Sequence, residues 1–253
     1  MILDMFSLKG KVAIVTGSST GLGQGMCIAF AEAGAKVVGV DYVDSPETKE
    51  IIEKAGGEFI SVVANLMSIE PIEGIVEKTI EKFGKVDILV NNAGIIRRED
   101  AVNFSEKDWD DVININQKTV FFFSQAVAKR FIEQNNGGKI INIASMLSYQ
   151  GGIRVPSYTA SKSAVKGLTM AMANEWAKYN ININAIAPGY MATNNTANLR
   201  ADKDRSEAIL DRIPAGRWGL PSDLMGTAVF LASSASDYVN GFTIAVDGGW
   251  LAR

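Results

Sequence analysis

A chain of 253 residues, 47% hydrophobic and 21% charged, can bury a full core as one large α/β domain or as two small ones. Its net charge of −3 is spread along the sequence and offers no basic stripe to a phosphate backbone, which argues against a nucleic-acid partner. With no histidine and one cysteine, Cys27, the chain excludes an intrachain disulfide and the usual zinc sets, and it denies an active site the imidazole most enzymes use for proton transfer.

The amino-terminal stretch, Met1 to Leu8, carries an early Asp4 and no basic segment, and no apolar run approaches the ~18 residues a membrane helix needs. The expectation is a soluble, cytoplasmic protein without a membrane partner. Short β-rich apolar runs then alternate with segments of helical period to the end of the chain. The runs are Val12 to Thr16, Lys36 to Val40, Phe59 to Val63, Val86 to Val90, Lys139 to Ile143, Ile181 to Ala187 and Phe242 to Val246. Most are continuously apolar, as strands of a parallel sheet covered on both faces are. Between them Leu22, Met26, Ala29, Phe30 and Ala33 recur at helical spacing, as do Ala160, Ala164, Leu168, Met172 and Trp176. No linker or internal repeat interrupts the alternation. The predicted fold is a single domain over residues 1–253, a Rossmann-type, doubly wound, seven-stranded parallel sheet with helices on both faces. The least regular stretch, about 190–220, is rich in Asn, Asp and Arg and is expected to form a substrate lid.

The first predicted strand runs into Thr16-Gly-Ser-Ser-Thr-Gly-Leu-Gly23, which places Gly17, Gly21 and Gly23 where a helix begins. Glycines there let backbone amides and the positive helix end approach a pyrophosphate. Asp41 closes the second strand, eighteen residues beyond Gly23, near the separation at which an acidic residue binds an adenosine ribose. Its carboxylate would repel a 2′-phosphate. Tyr42, not a base, follows it, and the glycine turn holds no Arg or Lys, so NAD is expected over NADP.

Tyr158 and Lys162 stand four residues apart in a helical segment, so both side chains lie on one face. An ammonium beside a phenol favours the phenolate. The pair is an acid/base that needs no histidine.

Taken with Asn91-Asn-Ala-Gly94 after the fourth strand, Asn116, Ser145 and Pro188-Gly189, the glycine turn and the Tyr-x-x-x-Lys pair resemble the short-chain dehydrogenases/reductases along essentially the whole chain. The resemblance implies a catalytic set of Asn116, Ser145, Tyr158 and Lys162. Ser145 would hydrogen-bond the substrate oxygen, and Tyr158 would exchange the proton. Lys162 would lower the tyrosine pKa and hold the nicotinamide ribose, and Asn116 would hold a water linking the lysine to solvent. The resemblance further places the dinucleotide against Ser19 and Leu22 in the glycine turn, against Asn91, Ala93 and Gly94, which would flank the adenosine and support the sheet, and against Pro188, Gly189, Met191 and Thr193 at the nicotinamide. Asn65, ahead of Leu66, stands where the family has an aspartate; its amide can still contact adenine. A homotetramer is implied by the same likeness.

Four runs outside the cofactor motifs, Ile95 to Ala101, Gln150 to Ser157, Met191 to Thr196 and Gly248 to Arg253, resemble members of the family that act on keto sugar acids of pectin and uronate breakdown. A 3-deoxy keto sugar acid oxidised or reduced at C5 is the implied substrate. Such a substrate wants a cation for its carboxylate. Arg154, four residues before Tyr158, is the expected anchor. Gln150, Asn194 and Asn195 suit a hydroxylated ligand. Arg97 and Arg98 are weaker candidates on an expected solvated loop, and Arg217 looks like a structural corner. Two alternatives remain beside this reading: a carrier-protein ketoacyl reductase, which would want NADPH and a basic docking surface, and a non-catalytic dinucleotide sensor on the same fold.

Overall fold

The computed structural model describes residues 1–253. Seven strands form one sheet: β1 (Val12–Thr16), β2 (Lys36–Asp41), β3 (Phe59–Val63), β4 (Ile88–Asn91), β5 (Gly138–Ile143), β6 (Ile181–Pro188) and β7 (Thr243–Val246). Their order is β3-β2-β1-β4-β5-β6-β7, and every pairing is parallel. The chain reverses its direction of winding between β1 and β4, and ligands of such sheets bind outside the carboxyl ends of the strands at that point.

Nine α-helices connect them: α1 (Gly21–Glu32), α2 (Pro46–Lys54), α3 (Ile72–Phe83), α4 (Glu106–Ile113), α5 (Thr119–Gln134), α6 (Pro156–Trp176), α7 (Ala197–Ala201), α8 (Lys203–Leu210) and α9 (Pro221–Ala232). Alternation along the central strands sets the two cores. Ala13 and Val15 face one side, where Met26 and Phe30 of α1 meet Leu224 and Leu231 of α9. Ile14 faces the other, with Ile75 of α3, Phe123 and Phe131 of α5 and Met172 of α6. Phe30, Phe123 and Phe131 are fully buried, and each such side chain stabilises the fold by roughly 2–3 kcal/mol through burial.

The seven expected strands are all present, with small changes at their ends. Val86 is not in β4, because its N–H and C=O are both bonded by the Gln134 side-chain amide, at 3.0 and 2.7 Å. Phe242 precedes β7, since its N–H donates to Asn184 Oδ1. The 190–220 stretch is more ordered than its composition suggested. It carries α7 and α8, and its base is clasped where the Gly219 N–H donates to the Tyr190 carbonyl at 2.9 Å and the Ala192 N–H to the Gly219 carbonyl at 2.7 Å.

Candidate active site

The carboxyl ends of the central strands open onto a cavity of about 600 Å3. At one end the wall is the glycine turn with Ser19, Gly21 and Leu22, then Asp41 and Tyr42 from the end of β2, and Asn65 and Leu66 after β3. Ala93 and Gly94 follow β4 in the middle. At the other end Ser145 follows β5, Tyr158 and Lys162 project from α6, and Pro188, Gly189, Met191 and Thr193 follow β6.

The glycine turn is held by the sheet. Gly17 has a φ of +70° and donates its N–H to the Val40 carbonyl at 2.7 Å. A Cβ on Gly23 would lie 1.8 Å from the Gly17 carbonyl oxygen, so only glycine lets α1 start this close to the turn. Gly23 therefore shapes the cradle from behind and does not line the cavity. Asp41 accepts from the Ser19 N–H at 2.9 Å and from its neighbour Tyr42 at 2.7 Å, which fixes its carboxylate at the cavity wall. Asn65 Oδ1 accepts from the Met67 N–H, leaving its amide nitrogen to face a ligand.

Asn91 supports the sheet, as expected, and its side chain is not on the cavity wall. It is buried and donates to Ser124 Oγ and Asn142 Oδ1, bracing the interior of the sheet. Its neighbour Asn92 is the one on the cavity, with its amide bonded to the carbonyls of Thr16 and Gly17 at 2.8 and 3.2 Å. The tandem asparagines were visible in sequence, but which of them points inward depends on strand register.

At the end that holds Ser145 and Tyr158, α6 starts at Pro156 in its first turn, where a missing N–H costs nothing. Lys162 is buried and donates from Nζ to the Ile143 carbonyl at 2.6 Å. Burial brings its pKa down to about 8. Tyr158 moves the other way: burial raises its pKa, opposed by a hydrogen bond with Ser145 and by the charge of Arg98. The Lys162 ammonium, 5.6 Å from the tyrosine ring centroid, is engaged by the strand.

Ser145 is positioned by a residue the sequence did not single out. Ser148 Oγ accepts from the Ser145 N–H at 3.3 Å and donates to the Lys162 carbonyl at 2.6 Å. Asn116 does not reach the cavity. It is fully buried in a π-helical turn, Asn114–Lys118; its Oδ1 accepts from the Ile95 N–H, and its amide donates to the Ile95 carbonyl and Ser161 Oγ. Its side chain ties the segment after β4 to α6, and every polar atom of that side chain is used in doing so.

The expected substrate anchors are not brought to the site. Arg154, at a φ of +65°, is exposed and paired with Asp100 at 3.0 Å and Glu99 at 3.4 Å, off the cavity wall. Two carboxylates already satisfy its charge. Gln150 is also off the wall and accepts from Arg212 at 3.4 Å. Arg97 does line the cavity, as do Asn194 and Asn195. Arg217 is bound by both oxygens of Asp223 at 2.7 and 2.8 Å, a corner as expected.

Residues 11–204 match the short chain dehydrogenase family. The chain belongs to that family. As a short-chain dehydrogenase it is an oxidoreductase that takes a nicotinamide dinucleotide, NAD(P). Over its full length this short-chain dehydrogenase is 70% identical to the 2-dehydro-3-deoxy-D-gluconate 5-dehydrogenase of Dickeya dadantii, all of which is covered. It is 53% identical to the Bacillus subtilis protein of the same name over 99% of this chain and 98% of that one. Among solved structures it is similar to a putative 2-deoxy-D-gluconate 3-dehydrogenase from Agrobacterium tumefaciens with bound NADP, at a TM-score of 0.94 and 53% identity over 98% of this chain and 99% of that one. No helix of this short-chain dehydrogenase is long and apolar enough to cross a membrane, and no group of three or more acidic or cysteine side chains is placed to hold a metal ion.

Proposed function

We propose that this short-chain dehydrogenase interconverts 2-dehydro-3-deoxy-D-gluconate and its 2,5-diketo form, 3-deoxy-D-glycero-2,5-hexodiulosonate, with NAD in pectin and uronate breakdown. The observation that carries this reading is the 70% identity over the whole length to a protein of that activity.

NAD is supported by Asp41. The cations lining the cavity are Arg97 and Lys162. Arg97 follows β4, two strands from the β2 end that bears Asp41, and Lys162 lies on α6. A 2′-phosphate at Asp41 would face a carboxylate with no cation to offset it. The Agrobacterium relative with bound NADP makes this a property to be tested on this chain.

The cradle fits a dinucleotide, because glycine at 17 and 23, where a Cβ would strike Asn92 or the Gly17 carbonyl, lets the turn and the start of α1 pack closely enough to present backbone amides to a phosphate. Gly17, Gly21, Ser19 and Leu22 would hold the pyrophosphate end, Asp41 the adenosine ribose, Asn65 and Leu66 the adenine side, and Pro188, Gly189, Met191 and Thr193 the nicotinamide end. When bound, the nicotinamide accepts or supplies the hydride. The protein's own groups manage the proton. Tyr158 Oη gives it to, or takes it from, the C5 oxygen, and Ser145 Oγ donates to the same oxygen as charge develops there. Lys162, freed from the Ile143 carbonyl, would hold the ribose and stabilise the tyrosinate, with Asn116 holding the wall segment behind it. The protein acts as a single catalytic domain with a lid at about 190–220, in the cytoplasm, as a homotetramer.

The test is a panel of keto sugar acids and acetoacetyl thioesters assayed with NADH and with NADPH. Turnover of the sugar acids with NADH supports the proposal. A preference for thioesters with NADPH replaces it with a carrier-protein ketoacyl reductase, and binding of nucleotide without any turnover replaces it with a dinucleotide sensor.

A further inference from the structure

A sugar-acid substrate brings a carboxylate into the cavity, and most cations near its substrate end are already engaged. Arg154 pairs with Glu99 and Asp100. Arg97 pairs with Asp108 at 3.3 Å and Asp111 at 3.8 Å. Arg212 lies 4.0 Å from the centre of the Trp250 ring and donates to Gln150. Lys162 is buried against the Ile143 carbonyl.

Arg98 differs. It is exposed, pairs with no carboxylate, stands at the cavity's rim next to the lining residue Arg97 without lining the wall itself, and donates from Nη2 to the backbone carbonyl of the lining residue Asn195 at 3.3 Å. Asn195 lies on the cavity wall with Asn194 and Thr196, where the chain enters the lid. That bond crosses from the segment after β4 to the lid. Arg200 is also free of carboxylates and donates to the Thr193 carbonyl, but Arg98 is the arginine whose charge is felt at the phenol of Tyr158, and it is felt at Tyr190 as well.

We propose that Arg98 grips the substrate carboxylate and that its bond to Asn195 couples this grip to the lid. The proposal rests on the keto-sugar-acid reading of the site and names the group that selects for acids within it. A guanidinium has five donors in a planar fork. One goes to Asn195, which leaves enough for two parallel bonds to a carboxylate. The Asn194 and Asn195 side chains stand on the same stretch to meet hydroxyl groups. A neutral sugar gains nothing from the guanidinium. The same carboxylate holds Arg98, and through it the Asn195 backbone, so acid binding and lid position are linked.

The experiment is steady-state kinetics of the intact protein with NAD, using 2-dehydro-3-deoxy-D-gluconate and, as a carboxylate-free probe, its primary amide. Arg98→Ala is expected to raise KM for the acid roughly ten- to a hundred-fold, the size of one lost charge-assisted interaction, while KM for the amide and for NAD stays within about two-fold. Arg98→Lys recovers part of the loss because charge returns without the fork. Arg154→Ala changes neither substrate. Equal effects of Arg98→Ala on acid and amide, or an acid-specific defect in Arg154→Ala, overturn the proposal. Turnover of the acid by the unsubstituted protein is measured first; its absence fails the substrate reading itself, and the anchor with it.

Discussion

Lys162 Nζ donates to the carbonyl of Ile143 at 2.6 Å, so the ammonium on α6 is held by the last residue of β5. One hydrogen bond does not offset the loss of water around a buried charge, and the pKa falls to about 8 from an ordinary 10.5. The folded protein thus binds this proton less tightly than the unfolded chain. The cost of burying the ammonium is fully present below pH 8 and is relieved as pH rises toward 10.5. That cost is on the order of 3 kcal/mol. Lys162→Met is expected to melt higher than the unsubstituted protein at pH 7, with the gap closing by about pH 10. Thermal unfolding at several pH values checks it, and a gap that is constant with pH would show that the lysine proton is not linked to folding.

Tyr158 titrates in the opposite sense. Burial raises its pKa, and the hydrogen bond with Ser145 and the charge of Arg98 pull it back. Oxidation of the alcohol needs the tyrosinate, so kcat/KM in that direction should climb through the alkaline range, while reduction, which needs the protonated phenol, should be flat near neutrality. Arg98→Ala removes a neighbouring positive charge and should move the alkaline limb to higher pH. A limb that stays in place, measured with the carboxylate-free amide, would mean that Arg98 does not act on the phenol.

Asp41 accepts from the Ser19 and Tyr42 amides, and its carboxylate would meet a 2′-phosphate with like charge. Asp41→Ala should weaken NADH binding and improve NADPH binding, narrowing the ratio of their dissociation constants by roughly ten-fold or more. Fluorescence titration with both nucleotides reads this directly. An unchanged ratio would remove Asp41 from cofactor choice.

Gly23 leaves no room for a side chain, with Gly17 O at 1.8 Å from where a Cβ would sit. Gly23→Ala must push α1 away from the turn, at a cost of about 1–3 kcal/mol. Calorimetry should show a lower Tm, and nucleotide binding should fall because the amides of the turn move with the helix. Unchanged binding would place the dinucleotide elsewhere.

Ser148 ties Ser145 to α6, accepting from the Ser145 N–H and donating to the Lys162 carbonyl. A positioning role is the expected consequence. Ser148→Ala should lower kcat about ten-fold, one hydrogen bond's worth, with KM for NAD little changed, and Ser148→Thr should restore part of it. A loss confined to KM would contradict this role.

The sheet was legible because continuous apolar runs such as Val12 to Val15 and Ile88 to Val90 are local signals; the glycine turn, Asp41 and Ser145 follow from where strands end, and Tyr158 and Lys162 from their spacing on one helix. What stayed hidden depends on partners distant in sequence. Gln134 removes Val86 from its strand across 48 positions. Glu99 and Asp100 take up Arg154, although nothing about the arginine itself reveals that two carboxylates wait on another loop. Asn116 has the residue type of a polar relay, but its side chain is spent on Ile95 and Ser161. Ser148 carries no motif of its own, since serine after a strand is common. The 190–220 stretch read as irregular because its two helices, α7 and α8, are short and polar; the clasp between Tyr190, Ala192 and Gly219 closes its base.

With no histidine in the chain, the account stands on Tyr158 as the group that moves the proton. The direct test is Tyr158→Phe, assayed for NAD-linked oxidation of 2-dehydro-3-deoxy-D-gluconate alongside fluorescence titration of NADH. The account predicts turnover reduced at least about a thousand-fold, as expected when an acid/base group and its hydrogen bond to the reacting oxygen are both lost, with NADH affinity largely intact. Turnover within a few-fold of the unsubstituted protein would contradict it.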